Sequence, residues 1–291
     1  MSRTARDLRI GILAMAATAF LWSSSGLFIK IIDWNPFAIA GTRSLIASGV
    51  IWVFVRNAKF HFSRTQVLAA CANVATMLLF VAANKTTTAA NAIVLQYFSP
   101  GLTAVLAAMI LHEKAHVEQW VAFAVSLLGM IALFHDRLSG GTLLGDAMAL
   151  LSGVSCSFFY VLMRMQKQGN PLESLLLSHW LTATICAGVS LFMPVPRLTL
   201  ASAGAVAFLG VMQIGVPALL FSLAIRRVSA LSANLIALIE PIFNPLWVFL
   251  AVGEAPGPGA IIGGLATVSA VAGASMITAK RTVALPAAVD S

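Results

Sequence analysis

The chain has 291 residues, of which 59% are hydrophobic and 10% charged, with a formal net charge of +8 and a mean hydropathy of +0.93. A soluble domain carries about 25% charged residues, so this composition excludes one and describes a polytopic protein of the lipid bilayer. The basic excess does not indicate a nucleic-acid partner, because the lysines and arginines fall between apolar runs and form no stripe interleaved with exposed aromatics.

Arg3, Arg6 and Arg9 precede an apolar run at 10–32 that is too long for the h-region of a signal peptide, so it reads as the first span. Hydropathy then predicts helices at 35–55, 65–83, 88–111, 117–134, 143–163, 172–193, 202–222, 230–252 and 258–278, making ten in all. Turn signals such as Asn35-Pro36, Gly140-Gly141, Asn170-Pro171 and Gly257-Pro258-Gly259 separate them. With the N-terminus cytoplasmic, thirteen lysines and arginines fall on that side and four on the other, and Arg43 lies within a span. The expected fold is therefore an all-α membrane protein of ten transmembrane helices with both termini cytoplasmic, multi-pass in the inner membrane. Cys71, Cys156 and Cys186 all lie in predicted spans, and no Cys-x-x-Cys pair suggests a disulfide framework or metal.

The fourth and ninth spans echo one another. Pro100 precedes Glu113 by thirteen residues and Pro241 precedes Glu254 by thirteen, and at the same offset of 141 Lys85 falls on Arg226. Gly11 and Lys30 match Gly145 and Arg164 at an offset of 134. This internal repeat divides the chain into a five-helix unit at 1–137, a second at 138–281 and a tail at 282–291. An odd number of crossings per unit inverts the second relative to the first, which is a transporter architecture with its substrate site near the midplane.

The motifs themselves resemble the drug/metabolite transporter superfamily, and within it the EamA-type exporters built of two five-helix repeats. They are Leu21-Trp22, Arg43, Ala89-Ala90-Asn91-Ala92, Ser99-Pro100, and the runs from Pro100 to Glu113 and from Glu240-Pro241 to Gly253-Glu254. His112 stands where the first run of the family has glycine. Gln96 to Pro100 is similar to the corresponding stretch of bacterial aromatic amino-acid exporters, with Ser99 in place of a family tryptophan. The resemblance implies a small-molecule substrate, amino acids first, with sugar nucleotides or cationic drugs as alternatives.

Glu240 is the only acidic residue deep in a span, a candidate for proton coupling or cation binding, or else an acceptor for amides loosened by Pro241 and Pro245. Arg43, about two turns into its helix, suits a substrate carboxylate or a tie between helix ends. Trp22, Ser23, Ser24, Asn91, Gln96, Tyr97, Asn234 and Asn244 supply an expected polar and aromatic cavity lining, with Tyr160, His179, Trp180 and Gln213 as further members. The bland alternative for each is an interhelical hydrogen bond worth about 0.6 kcal/mol.

One motif points to another class. His112, Glu113 and His116 form His-Glu-x-x-His, which on a helix holds zinc for an intramembrane metalloprotease. No Walker A motif accompanies the spans, so no nucleotide or other cofactor is implied and the chain reads as a carrier, not an enzyme. Gly259 and Gly263 permit close packing inside the bundle or dimerisation, which leaves the oligomeric state open with a monomer favoured.

Overall fold

The computed structural model describes residues 3–24, 28–29, 32–55, 63–134, 141–252 and 258–284. Thirteen α-helices account for the ordered elements among them: α1 (Arg3–Trp22), α2 (Pro36–Val55), α3 (Arg64–Thr86), α4 (Ala89–Gln96), α5 (Ser99–Leu106), α6 (Val117–Phe134), α7 (Leu143–Met165), α8 (Pro171–Ser190), α9 (Leu200–Phe208), α10 (Val216–Ile225), α11 (Ala230–Ala237), α12 (Ile239–Val252) and α13 (Pro258–Ala284). Wider π-turns at Ala107–Leu111 and Leu209–Gly215 continue α5 and join α9 to α10. Counting α4–α5, α9–α10 and α11–α12 as one crossing each gives ten candidate crossings. By length and composition alone, seven helices among the described residues are apolar enough to span a bilayer.

The first helix departs from expectation. It ends at Trp22 instead of running to residue 32, because the Ser23 and Ser24 hydroxyls donate to the carbonyls of Phe20 and Leu21 at 2.6 and 2.7 Å. Serines offer the backbone this local alternative to helix propagation, and hydropathy does not register it.

The two interrupted crossings break at equivalent places. A proline lacks an N–H and its ring clashes with the carbonyl four residues back. Four back from Pro100 is Gln96, and four back from Pro241 is Ala237, which are the last residues of α4 and α11. Each broken crossing also starts from an equivalent cap: the Thr88 and Ser229 side chains accept from the amides of Asn91 and Ser232, all at the 141 offset. The Ser157 hydroxyl of α7 donates to the Ser99 carbonyl in the first turn of α5 at 2.9 Å, just past the first break.

Packing repeats as well. A Cβ on Gly145 of α7 would lie 2.6–2.8 Å from atoms of Thr86 and Thr87 at the end of α3. A Cβ on Gly11 of α1 would lie 2.6 and 2.9 Å from Arg227 and Val228, just past the end of α10. These four partners are related by the same offset of 141, so α3 meets α7 as α10 meets α1. Between the halves, α6 packs on α13 and α2 on α8. The largest buried cluster gathers Met15, Ile51, Phe159, Met163, Leu176 and Phe221, with the Phe159 and Phe221 rings stacked at 5.4 Å. Outward-facing positions such as Leu13, Phe54, Leu128 and Leu265 are exposed and apolar, as a lipid-facing surface requires.

Candidate functional site

The breaks in the fourth and ninth crossings bring Tyr97, the C-cap of α4, and Glu240, in the first turn of α12, to the centre of the bundle. The Tyr97 hydroxyl lies near enough to the Glu240 carboxyl group to interact with it. Tyr160 and Cys156, both on α7, face the same carboxyl group closely enough to interact with it electrostatically. The Tyr160 ring packs edge-on to Phe221 at 5.5 Å, which fixes its orientation.

Arg43 of α2 acts electrostatically on the same Glu240 carboxyl group. Its Nη1 donates to Gln213 Oε1 at 3.4 Å, and Gln213 Nε2 donates to the Trp22 carbonyl at 3.4 Å. Gln213 reaches Arg43 because of the π-turn at Leu209–Gly215: Pro217 withholds the amide that would bond its carbonyl, and π-turns of this kind recur at functional sites. Gly210 and Gly215 let that turn press on α2, where a Cβ at Gly210 would collide with Ile46 and one at Gly215 with Val50. Buried His179 and Cys186, on α8, interact electrostatically with Arg43.

Arg43 and Glu240 are near enough for their charges to act on one another, yet among the described residues no ion pair joins them. The Arg43 Nε and the His179 Nδ1 are buried without a hydrogen-bond partner. Withdrawing a charge from water costs several kcal/mol unless it is paired, and among the described residues Gln213 supplies the one hydrogen bond to the Arg43 guanidinium.

Other candidates fall elsewhere. Ser23 is buried and accepts from the Trp247 indole at 2.8 Å. Ser24 only closes the end of α1. Asn234 clamps α11 to α5, donating to Thr103 Oγ1 at 2.8 Å and Ser99 Oγ at 3.1 Å. Asn91 and Gln96 turn toward α7: Asn91 bonds Asp146 and Thr87, and Gln96 bonds Ser152. Trp180 packs on Trp52 with ring centroids 5.7 Å apart. The Asn244 side chain, Lys30 and Glu254 lie outside the described residues. Sequence reasoning passed over Cys156 and Trp247, whose only signal was one helical turn of spacing from Tyr160 and from Phe243. A separate polar cleft of ≈ 290 Å³, lined by Ser63, Gln66, Gln166 and Asn170 among others, lies apart from these groups.

The zinc reading is overturned. Residues 112–116 are not helical, and His112 takes a left-handed conformation at φ 56° that turns the chain out of the preceding helix. The two imidazoles therefore share no helix face. Glu113 is engaged by Arg164 at 2.8 Å, and among the described residues no cluster of three or more metal-ligating side chains occurs.

Comparison with known proteins agrees with this geometry. The model of the EamA-like transporter family matches the chain twice, over residues 9–134 and 143–276. Two proteins of Archaeoglobus fulgidus, each described as an uncharacterized transporter, are similar along nearly their whole length. One is 24% identical over 262 residues, covering 89% of this chain and 94% of its own, and the other 25% identical over 286 residues, covering 92% and 97%. A solved crystal structure superposes with a TM-score of 0.80 at 18% identity, covering 94% of this chain and 98% of that one, which is a likeness of fold.

Proposed function

Because the chain belongs to the EamA-like transporter family, matched over both of its halves, we propose that it is a secondary carrier exporting small metabolites, with amino acids as its cargo. The repeats are units 1–137 and 138–281, inverted relative to one another because each has five crossings, with 282–291 as a tail. They alternate in opening a shared cavity to either side of the inner membrane. The lysine and arginine bias puts both termini in the cytoplasm.

The observation carrying the choice of cargo is the unjoined pair of charges at Arg43 and Glu240. A free amino acid bears a carboxylate and an ammonium group a few ångströms apart. Laid between these residues, its carboxylate meets the guanidinium fork and the vacant Nε of Arg43, for which a carboxylate is the natural partner. Its ammonium group meets Glu240 and the faces of Tyr97 and Tyr160. Gln213 and His179 border the carboxylate end, and Trp22 borders the cavity through its carbonyl on Gln213.

The test is reconstitution into liposomes with a panel of labelled amino acids, with and without a pH gradient. Wild-type protein should move at least one of them, and Arg43→Gln should lose the amino acid while sparing its amide. If no amino acid moves, the cargo assignment fails. Unchanged transport by Glu240→Gln at every pH would remove any role for that carboxyl group in proton coupling. A cationic drug is the second reading, favoured by the carboxylate flanked by two tyrosines; it predicts that Arg43→Gln transports as well as wild type. A sugar nucleotide would call for several basic groups, and Arg43 alone among the described central residues supplies one.

A further inference from the structure

Among the described residues two ion pairs join the repeats at the mouth of the bundle farthest from Asp146: Arg281–Glu118 at 3.3 Å, whose arginine is 55% exposed, and the better shielded Glu113–Arg164. The π-turn at Ala107–Leu111 ends at left-handed His112, and the Glu113 amide closes back onto the Ala107 carbonyl at 3.1 Å. That turn carries Glu113 across to α7, where Oε1 accepts from Arg164 Nε at 2.8 Å. Glu113 Oε2 accepts from the Ala230 amide at 3.2 Å, and Arg164 Nη1 donates to the Ile225 carbonyl at 2.9 Å. The last two are helix-terminal groups with no partner inside their own helices. Thus the end of the α5 crossing, the end of α7, the end of α10 and the start of α11 all meet on one pair of side chains. These are largely shielded from water, with Arg164 13% and Glu113 22% exposed.

Glu113 belongs to the first repeat and its two partners, Arg164 and Ala230, to the second. The repeats therefore cannot separate at this end while the pair is intact. Cys156, which faces Glu240, lies eight residues inward from Arg164 on α7, or about 12 Å at 1.5 Å per residue. From this arrangement we propose that Glu113–Arg164 is the latch that holds this mouth of the cargo cavity shut, broken and remade once in each transport cycle. The assignment rests on the carrier reading, since a protein with fixed halves needs no releasable pair.

The test reads the mouth directly and needs no cargo. In the purified full chain carrying Cys71→Ser, an impermeant, water-soluble thiol reagent is used to time modification of Cys156 and Cys186. Cys186 is fully buried where α8 meets Gly41, away from the mouth, and reports general loosening. Glu113→Gln and Arg164→Gln should each raise the Cys156 rate about tenfold, the scale of one charge-assisted hydrogen bond. The double variant should go no further than the faster single one, because the two residues act as a unit, and Cys186 should hold its wild-type rate. Arg164→Lys, which keeps the charge but loses the forked reach to Ile225, should fall between. An unchanged Cys156 rate, or Cys156 and Cys186 rising together, would overturn the latch. Failure of every solute in the liposome assay would count against the carrier reading alone, so the two failures are distinguishable.

Discussion

Two seams of the molecule share a backbone plan and differ in chemistry. In each, a glycine near the start of a long helix presses on the end of another: Gly145 on Thr86 and Thr87, Gly11 on Arg227 and Val228. Beside Gly145 stands Asp146, whose Oδ1 accepts from Thr87 Oγ1 at 2.6 Å and from Asn91 Nδ2 at 3.3 Å. Beside Gly11, in the equivalent position, stands Ile12, packed against the large apolar cluster. The other end of α7 is held by Glu113 through Arg164. So α7 is pinned to its neighbours by polar bonds at both ends, while Gly11 and Ile12 of α1 meet theirs through close apolar packing. Duplication preserved the close approach and left the directional bonds free to diverge, so the symmetry of such a fold is better read in its glycines than in its charges.

The strongest way to break this comparison is to fill the close approaches. Gly145→Ala should cost the most, about 3 kcal/mol, the upper end for overpacking, because its Cβ meets backbone atoms of Thr86 and Thr87 that cannot turn aside. Gly11→Ala meets chiefly side-chain atoms and should cost less, about 1–2 kcal/mol. Thermal unfolding of the detergent-solubilised protein checks the order, and equal losses would show the seams to be mechanically alike. Next comes Asp146→Ala, which strips two acceptor bonds and should cost about 1.5–3 kcal/mol, with no counterpart penalty at Ile12→Val beyond about 1 kcal/mol. The smallest effect belongs to Asn234→Ala, at about 1 kcal/mol for its bonds to Thr103 and Ser99. Should Asn234→Ala abolish transport while leaving the unfolding temperature in place, Asn234 would belong to the cavity and not to the clamp.

Much of the fold was legible in the sequence because lipid leaves a hydropathic signature. The helices expected at 88–111 and 230–252 are each broken, at the carbonyls that Pro100 and Pro241 oblige to let go, which hydropathy does not register. Nor was the end of α1 legible, because Ser23 and Ser24 stop the helix through side-chain bonds that a hydropathy window averages away. Arg43, Tyr97, Tyr160, His179, Gln213 and Glu240 were picked out by residue type and do converge. Asn91 and Gln96 were assigned to the same lining, yet they face α7. Both lie on α4 before the break, and residue type alone does not say which neighbour a side chain on that helix meets. The π-turn that delivers Gln213 left only Pro217 and two glycines as clues. His-Glu-x-x-His was an alternative only, since it begins where the predicted helix at 88–111 ends, and its pattern needs a helix that stops at Leu111.

The contact between α6 and α13 carries one more consequence. Gly129 meets Gly263 so closely that a Cβ on either would strike the other's backbone, and Ala122 and Ala270, their counterparts at the 141 offset, share one apolar cluster nearby. These two helices are each other's counterparts, so the pair straddles the line about which one half maps onto the other. In the carrier reading proposed above, matter astride that line travels least as the halves trade places, and the thin waist of glycine and alanine then serves as a bearing whose smoothness its small residues preserve.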